Sequence, residues 1–428
     1  MKTFKPFFFA VCVGCLFSIS AGAFEFTSQG ELKLESKAFR NDGVDETIDE
    51  NLSFFSRLET SLKFEKSNIR IQTSAAARVD KRDSERDVFY FEEAFIEKDF
   101  GRLQVFAGLR TLNWSTSEAF HPSDIVNSRN FDSQFENAEK FGEPMVGFAA
   151  QSGDFGIQAF YMPFLTAPKF TSSQNRSSFF PEGFSVANEA FVDQDGRTQE
   201  DTAAQWAVKA SITKWGGDWS IYWVHHFDRS QPFVVPTSQN TLRPIFLEID
   251  QIGLNLQQQF SNFIFKFEGA QRMFQRSLMS EDFGEIPLQP HTVLAGGLEY
   301  IYGWNSGAET SFLGEFQVVL DLFNQVPEGV DTDNVRRSNI FQRDILLGFR
   351  HGFNDSVSRE LLVLAIIDVE LTKQILISAS YSQRWKDVWR VRGGLRYIDA
   401  NSVGVGPSLD LSVFDQDHQI FFELSRFF

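Results

Sequence analysis

The amino-acid sequence predicts an all-β protein, a transmembrane antiparallel β-barrel of about 18 strands (16–18) with short periplasmic turns and long extracellular loops. Three observations predict this fold class: an export signal, the lack of a long apolar run after it, and a regular alternation of apolar and polar residues. The longest apolar run after the signal is Leu361–Ile367, whereas a membrane helix needs about 20 residues. Without a spanning helix, a chain crosses a bilayer only as a closed barrel.

Residues 1–23 have the three parts of a secretory signal peptide. Lys2 and Lys5 come before a short apolar stretch, and small residues end the segment at Ala23. The apolar stretch, of about a dozen residues, is too short to be a membrane anchor. We expect cleavage after Ala23, which leaves a barrel over residues 24–428, a mature chain of 405 residues (428 minus 23).

Charge and cysteine content exclude several classes of function. Loss of the two signal lysines changes the formal net charge from −17 to −19 (−17 minus 2), which disfavours nucleic acid as a partner. Cys12 and Cys15 are the only cysteines, and both lie in the predicted signal peptide. The mature chain is therefore expected to have no disulfide and no cysteine-bound metal. A lipoprotein attached through either cysteine is the alternative, although neither has a leucine three positions before it.

Eighteen segments carry the alternation, and each is predicted to be a strand. In the second segment Leu52, Phe54 and Leu58 share one face, whereas Arg57 and Glu59 share the other. A soluble β-sandwich alternates in the same way, so this pattern alone leaves both folds open. The segments lie near 25–38, 51–65, 67–79, 87–98, 102–113, 144–152, 154–163, 203–214, 217–227, 244–260, 262–275, 292–303, 306–320, 339–352, 359–370, 374–385, 388–398 and 419–428.

The lengths of the connections separate the two folds. Connections after even-numbered segments are mostly short, such as KSN, DFG and SGD, while those after odd-numbered segments are mostly long. One exception is the short link at Thr372 and Lys373. Short turns at one end and long loops at the other are typical of an outer-membrane barrel. Closure of this barrel places the last segment beside the first, so that no strand edge stays unpaired.

The C-terminal stretch Gln419–Phe428 resembles the aromatic assembly signal of bacterial outer-membrane barrels. Arg426 departs from it, because the third residue from the end is usually aromatic or apolar. The resemblance implies that the barrel assembly machinery is a partner. In that membrane the protein would also contact outer-membrane lipid and lipopolysaccharide.

The stretch Glu92–Phe131 resembles a family of proteobacterial outer-membrane β-barrels of uncharacterised domain type. The matching residues are Glu93, Ala94, Phe95, Gly108, Trp114, Asp124, Val126, Asn127 and Arg129. The sequence departs from the family pattern at Leu109, Arg110, Ser115 and Ser128. The resemblance implies a periplasmic lipid-binding protein and an efflux pump of the resistance-nodulation-division type as partners. It also implies that hydrophobic molecules, rather than sugars or ions, pass through the barrel.

A barrel of this width is too wide to be filled by its own side chains, so water, cargo or a loop must occupy the lumen. We expect the loops 114–143 and 164–202 to fold into or over the lumen. The second of these loops contains an apolar cluster, and such clusters normally contact something. Either the cluster packs on itself as a lid, or it binds hydrophobic cargo, lipid or another barrel. Its candidate residues are Phe170, Phe179, Phe180 and Phe184.

The first loop has its own candidate residues. Arg110 lies near the end of a strand, and Trp114 follows at the rim, where tryptophan commonly anchors a barrel in the membrane interface. Asp124, Asn127 and Arg129 are suited to pin an inward loop to charged wall residues, and an inward loop makes a wide barrel selective. A solvated surface loop is the alternative.

Charged residues on the polar faces of later strands are the remaining candidates for pore-lining residues. Opposed arginines and carboxylates would narrow a pore and impose a transverse field, or they would only solvate a wet lumen. Asp368 and Glu370 are predicted to point inward too. The pore-lining candidates are Arg384, Arg390, Arg392, Arg396, Glu309 and Glu315.

The predicted function is a channel that passes small, hydrophobic molecules through a loop-constricted lumen. The alternatives are a general porin for hydrophilic solutes and a non-conducting structural or adhesive barrel. Enzymatic activity is not expected, because His225, His226 and Asp228 at a strand end lack an accompanying Gly-x-Ser-x-Gly motif. The sequence also has no phosphate loop and no zinc-ligand set, so we expect no metal and no cofactor.

Overall fold

The computed structural model describes most of the chain, including every predicted strand. The described residues are 19–21, 24–40, 48–133, 138–171, 175–176, 185–186, 202–229, 233–236, 241–275, 278–280, 284–286, 290–323, 341–370, 374–400 and 417–428. In this part of the chain no helix has both the length and the apolar character needed to cross a bilayer.

Eighteen antiparallel strands form one closed barrel, in which each strand pairs with its neighbours in sequence and the last pairs with the first. The predicted fold class and strand number are therefore confirmed. The strands are β1 Phe24–Phe39, β2 Glu50–Phe64, β3 Ile69–Asp80, β4 Val88–Asp99, β5 Leu103–Arg110, β6 Glu143–Ser152, β7 Phe155–Met162, β8 Gln205–Lys214, β9 Gly217–Phe227, β10 Glu248–Phe260, β11 Phe263–Phe274, β12 His291–Gly303, β13 Glu309–Leu320, β14 Arg343–Gly352, β15 Glu360–Asp368, β16 Gln374–Trp385, β17 Trp389–Ala400 and β18 Gln419–Phe427.

The remaining elements are short and are not counted among the eighteen strands of the barrel. A 3-10 turn, Ser84–Arg86, is capped by the Asp83 carboxylate, which accepts a hydrogen bond from the Glu85 amide. The short strands are Ile19–Ala21, Arg129–Asn130, Glu139–Lys140, Ser185–Val186, Phe233–Pro236, Thr241–Ile245, Leu278–Ser280 and Gly284–Ile286. Ile19–Ala21 precedes the predicted cleavage point and pairs with the start of β1. Cleavage itself stays a prediction.

The two faces of the barrel wall differ in the way that the alternation predicts. On β18 the apolar side chains Ile420 and Phe422 point outward and are 67% and 47% exposed. On β2 the inward Phe55 is 1% exposed, whereas its outward neighbour Phe54 is 48% exposed. Apolar residues therefore cover the outer wall, where hydrocarbon would contact them, and polar residues are enriched on the inner wall.

Connections at the two ends of the barrel differ in length, as predicted. At the end where the chain enters β1, the turns are short, and several need a left-handed backbone. Asn68, Trp215 and Ser261 take positive φ angles of 50°, 55° and 54° at three of these turns. At the other end the connections span, for example, residues 111–142 and 163–204. In the topology of an outer-membrane barrel, the short turns face the periplasm.

The C-terminal residue completes the closure of the barrel. Phe428 and Gly30 exchange two backbone hydrogen bonds of 2.9 and 3.1 Å, which extend the pairing between β18 and β1. The Phe428 ring lies over Gly30 so closely that a Cβ atom at Gly30 would come within 2.4 Å of the ring. Glycine at position 30 therefore makes the space in which the terminal ring packs.

Substitution of Gly30 by valine is expected to displace the Phe428 ring and to destabilise the barrel by about 1–3 kcal/mol, the usual cost of overpacking. The measurement is urea unfolding of the refolded barrel. Gly314→Val is the matched control, since a Cβ atom at this glycine of β13 would meet nothing within 4 Å. Equal stability of the two variants would contradict a role for Gly30 in seating the terminal ring.

Candidate functional site

The connection 111–142, called the constriction loop below, enters the lumen and is held there by a carboxylate of the wall. Glu268 on β11 is 0% exposed and accepts backbone hydrogen bonds from Thr116 (2.5 Å), Ser117 (2.9 Å) and Ser123 (3.1 Å). The Ser115 hydroxyl donates a further bond of 2.6 Å. Hydrogen bonds to a charged acceptor are about twice as strong as neutral ones. Glu268 is therefore the main anchor of the loop.

A second wall carboxylate holds the next turn of the loop. Glu315 on β13 accepts hydrogen bonds from the amides of Glu118 (2.7 Å) and Ala119 (2.9 Å). The Glu118 carboxylate in turn pairs with Lys266 of β11 at 2.9 Å. Burial by itself would raise the pKa of Glu118, but the hydrogen bond and the charge of Lys266 hold it below the ordinary value. Both sides of this turn are thus tied to the wall.

Two amide side chains of β10 extend the attachment. Asn255 donates a hydrogen bond of 2.6 Å to the Trp114 carbonyl oxygen, and Gln251 donates one of 2.8 Å to the Pro122 carbonyl oxygen. Both side chains are buried, at 3% and 0% exposure. The two side chains therefore provide hydrogen bonds to loop carbonyl groups that are buried away from water. The expectation of an inward loop over 114–143 agrees with this geometry.

Trp114 does not lie in the membrane interface, which corrects the expectation of an interfacial anchor. It is 4% exposed and packs inside the barrel against Phe160 and Tyr222, with ring centroids 6.1 and 5.5 Å away. Lys209 of β8 lies 5.5 Å from the Trp114 ring centroid. The tryptophan therefore seals the loop against β7–β9 by apolar contact. The rim position in the sequence was compatible with either location.

Asp124 and Arg129 pair with each other within the loop, and not with the wall as expected. Lys140, near the end of the same loop, also binds Asp124, at 2.6 Å. Burial lowers the pKa of Lys140, and the Asp124 carboxylate partly offsets this effect. The three charges therefore hold the two arms of the loop together.

Asn127 ties the loop to its own ends. Its side-chain oxygen accepts a hydrogen bond of 2.7 Å from the Leu112 amide, and its amide group donates bonds of 2.9 Å to the carbonyl oxygens of Arg110 and Phe141. The Arg110 guanidinium lies 4.7 Å from the centroid of the Phe95 ring on β4. The expected contact between Asn127 and charged wall residues is therefore wrong. Its partners are backbone groups.

A buried ion pair supports the loop from behind, and the sequence analysis did not identify it. Arg229 and Glu143 are both 0% exposed and lie 3.0 Å apart. Arg229 also donates a hydrogen bond of 2.5 Å to the Val126 carbonyl oxygen, and Glu143 accepts bonds of 3.3 Å from the amides of Ser128 and Thr166. This ion pair therefore joins β6 and the segment after β9 to the constriction loop and to the connection 163–204. Its residues are 86 positions apart, and no local pattern marks them.

Beside the constriction loop, the lumen contains an open cavity of about 690 Å³. One part of its lining is apolar and comes from the loop and from β13–β15. The other part is charged and comes from the loop and from β2, β4, β12, β14 and β17, so that β14 supplies both a leucine, Leu346, and a charged residue, Arg350. The apolar residues are Leu112, Leu313, Leu346, Leu362 and Leu364. The charged residues include Arg57, Glu92, Arg129, Glu139, Lys140 and Arg392.

Three of the candidate arginines line cavities in the interior. Arg390 and Arg392 line a second cavity of about 370 Å³, and Arg392 lines the first cavity as well. Arg396 lines a smaller pocket next to Lys37 and Glu35. In the described chain, Arg390 hydrogen-bonds to the Ser382 hydroxyl at 3.0 Å and has no carboxylate within ion-pair distance. Arg390 is therefore a cation that a solute in this cavity would meet.

Three other candidates lie away from the cavities. Arg384 is exposed near the short-turn end, opposite Arg390 in the strand register, and lines neither cavity. Glu309 is exposed at the start of β13. Glu315 is 3% exposed and holds the constriction loop, so it is an anchor and not a pore-lining residue. Sequence alternation placed all three on the inner face but did not show how far along the pore each lies.

Phe170 of the second loop packs at the interior end of its connection. Its ring stacks on Phe131 of the constriction loop at 6.0 Å, and it contacts a buried cluster that includes Phe227 and Phe246. Phe170 therefore packs against other parts of the chain inside the barrel. The other three candidates, Phe179, Phe180 and Phe184, lie outside the described residues.

The two histidines considered for catalysis point to opposite faces of β9. His225 shares the outer face with Trp223 and lies 3.2 Å from Glu248, whereas His226 is 0% exposed on the inner side. Adjacent residues of a strand alternate between faces, so these two cannot form a dyad.

Comparison with solved structures finds the same barrel fold in other bacterial proteins. Pseudomonas aeruginosa OccK5 (OpdH) is 11% identical, with a TM-score of 0.52 over 95% of this chain and 98% of that one. Acinetobacter baumannii OccAB1 is 8% identical, with a TM-score of 0.53 over 96% of this chain and 99% of that one. The sequence matches no family model and no curated protein. At these identities the likeness shows the fold alone: this chain is an 18-stranded barrel of the kind seen in those two proteins.

Proposed function

We propose that the protein is an outer-membrane channel that passes small solutes through a lumen narrowed by the constriction loop. The outer wall is apolar, as hydrocarbon requires, and the inner wall carries charged groups that need water or a partner. The observation that carries the proposal is the cavity of about 690 Å³ beside the loop. A loop that narrows a barrel without filling it is the usual origin of solute selectivity.

The lining of the cavity supports a solute class between the two that the sequence left open. Leucines on β13–β15 line the same space as arginines and carboxylates of β2, β4, β12, β14 and β17. A purely hydrophobic molecule would displace water from the charged lining without replacing its hydrogen bonds, and a sugar would gain nothing from the leucines. We propose small amphiphilic solutes, with an apolar body and an anionic or polar head. Passage of wholly hydrophobic molecules stays a prediction.

The test is solute uptake by liposomes that contain the purified barrel. We expect benzenesulfonate to enter faster than methanesulfonate or glucose, although it is larger than methanesulfonate. Leu362→Asn should slow benzenesulfonate and leave methanesulfonate unchanged, because Leu362 lines both cavities. Ser380→Asn, in the second cavity only, is the control.

Two results would contradict the proposal and favour one of the alternatives. Equal entry of glucose and benzenesulfonate would favour a general hydrophilic porin. Failure of every solute to enter, together with no conductance in planar bilayers, would favour a structural barrel. A periplasmic lipid-binding protein, an efflux pump, lipopolysaccharide and the assembly machinery remain predicted partners. Their binding is a separate question from the permeation assay.

A further inference from the structure

Three buried polar side chains form a row across neighbouring strands at the long-loop end of the barrel. Asp344 on β14 lies opposite Asp368 on β15 in the strand register. The pairing of β15 with β16, in which Ile367 lies opposite Ile375, places Gln374 next to Asp368. Asp344, Asp368 and Gln374 are 1%, 2% and 1% exposed. All three are on the inner face of the wall.

Two members of the row, Asp344 and Gln374, lack the hydrogen bonds that buried polar groups normally have. Both carboxylate oxygens of Asp344 are buried without a partner in hydrogen-bond geometry, although the backbone amides of Gln342 and Arg343 lie nearby. Both amide atoms of Gln374 are also buried without a partner. Asp368 accepts a hydrogen bond of 2.8 Å from the Glu370 amide. Two carboxylates directly opposite each other on adjacent strands repel. An unpaired buried charge is more costly still.

The described surroundings supply no positive charge to Asp344. The one charged group that acts on Asp344 is the Asp368 carboxylate, and Asp344 itself forms no ion pair with any described residue. The next inward positions are apolar: Leu346, Ile366 and Leu376 belong to the buried cluster that receives Phe120 of the constriction loop. A low-dielectric neighbourhood strengthens the repulsion between the carboxylates. A positive charge at this place would relieve it.

We propose that Asp344, Asp368 and Gln374 bind a calcium ion at the outer end of the lumen. Calcium takes carboxylate and amide oxygens together with water, and it tolerates irregular geometry. Magnesium demands a near-ideal octahedron, which a row of three side chains on one sheet face does not present. In the described chain, no group of three or more His, Cys, Asp or Glu side chains is arranged to hold a metal. The two aspartates therefore need a ligand of another type, and in this proposal the Gln374 oxygen is that third ligand.

The site is expected to be weak and to stabilise the barrel. A few protein ligands open to water suit the affinity of extracellular modules, about 10⁻⁴–10⁻³ M. An ion that binds only the folded barrel raises its unfolding temperature by mass action. Because the ion would lie above the cluster around Phe120, it would also hold the wall against which the constriction loop rests. This inference does not depend on which solute the channel passes.

The experiment compares thermal unfolding of the purified full-length barrel in EDTA and in 5 mM CaCl₂ (about five times the weaker end of that range). Calcium should raise the unfolding temperature of the wild type, and Asp344→Asn should abolish the shift. In EDTA, Asp344→Asn should be at least as stable as the wild type, since it removes the repulsion. Gln374→Leu should reduce the shift. Glu309→Gln, at the opposite end of the paired strand β13, is the control and should respond as the wild type does.

Two outcomes would overturn the proposal. An equal calcium shift in the wild type and in Asp344→Asn would place the ion elsewhere. No calcium shift, with stabilisation of the wild type but not of Asp344→Asn on acidification, would show that the carboxylates share a proton instead of a metal. Should Asp344→Asn fail to fold, direct calcium titration of the wild type and of Gln374→Leu by calorimetry decides. Equal affinities, or no binding, would then refute the site.

Discussion

Replacement of Glu268 by alanine is expected to release the constriction loop and to raise single-channel conductance severalfold. The substitution removes the acceptor of three backbone amides and of the Ser115 hydroxyl, at distances of 2.5–3.1 Å. Each hydrogen bond to a charged group contributes about 1.5–3 kcal/mol. Without the carboxylate, the loop amides gain more from water than from the wall. Conductance in planar bilayers is the measurement, and the trace should become noisier as the loop moves.

The control for this prediction is Glu360→Ala. Glu360 also lines the lumen, in the second cavity, and forms no hydrogen bond or ion pair with the described residues of the constriction loop. Removal of its charge changes the electrostatics of the pore without freeing the loop, so conductance should change little. Glu268→Ala with unaltered conductance would mean that the apolar contacts of Trp114 hold the loop alone. The double variant with Glu315→Ala would then be required to open the pore.

Replacement of Glu143 by leucine is expected to destabilise the barrel by about 3–5 kcal/mol, the usual cost of leaving one buried charge unpaired. Arg229 would keep its charge at 0% exposure with its carboxylate partner gone. The amides of Ser128 and Thr166 would also lose their acceptor. Urea unfolding of the refolded protein measures the change. The loss should appear in both the midpoint and the yield of folded barrel.

Two further variants test the cause. Glu143→Leu combined with Arg229→Met should recover much of the lost stability, because an apolar pair of similar volume commonly replaces a buried ion pair at little cost. Glu50→Leu should change stability little, since Glu50 pairs with Arg82 at the surface, where both side chains are more than half exposed. If the double variant is no more stable than Glu143→Leu, the unpaired charge is not the source of the loss.

The barrel could be predicted from the sequence because each observation that indicates it comes from residues close together in the chain. Each strand shows its two faces through its own alternation, as Phe54 and Phe55 do on β2, and each connection shows its length directly. Every strand has one apolar face, and all of these faces must turn to the hydrocarbon outside the barrel. Closure then follows, because an unpaired edge in hydrocarbon would leave backbone groups unsatisfied.

The candidate site was predicted only in part. An inward loop and inward-facing Arg390 and Arg392 agree with the structure, since both depend on loop length and on strand face. The partners of Asp124 and Asn127 were wrong, because a charged or amide side chain binds whichever group comes within reach, and the closest ones were in the loop itself. Trp114 was predicted at the rim, as an interface anchor or a pore residue, and its packing against Phe160 and Tyr222 on distant strands decided between the two.

Alternation and connection length account for the apolar outer wall, the closed sheet and the end of the barrel at which the long loops lie. These properties depend on neighbours within a few residues, so one sequence carries them. The contacts inside the lumen depend instead on residues far apart in the sequence. Glu268 accepts hydrogen bonds from loop amides about 150 positions away. Asp344 lies opposite Asp368 because of the register between two strands. Such meetings depend on the position of each strand around the barrel and on the path of the loop, and the folded chain alone brings those groups together.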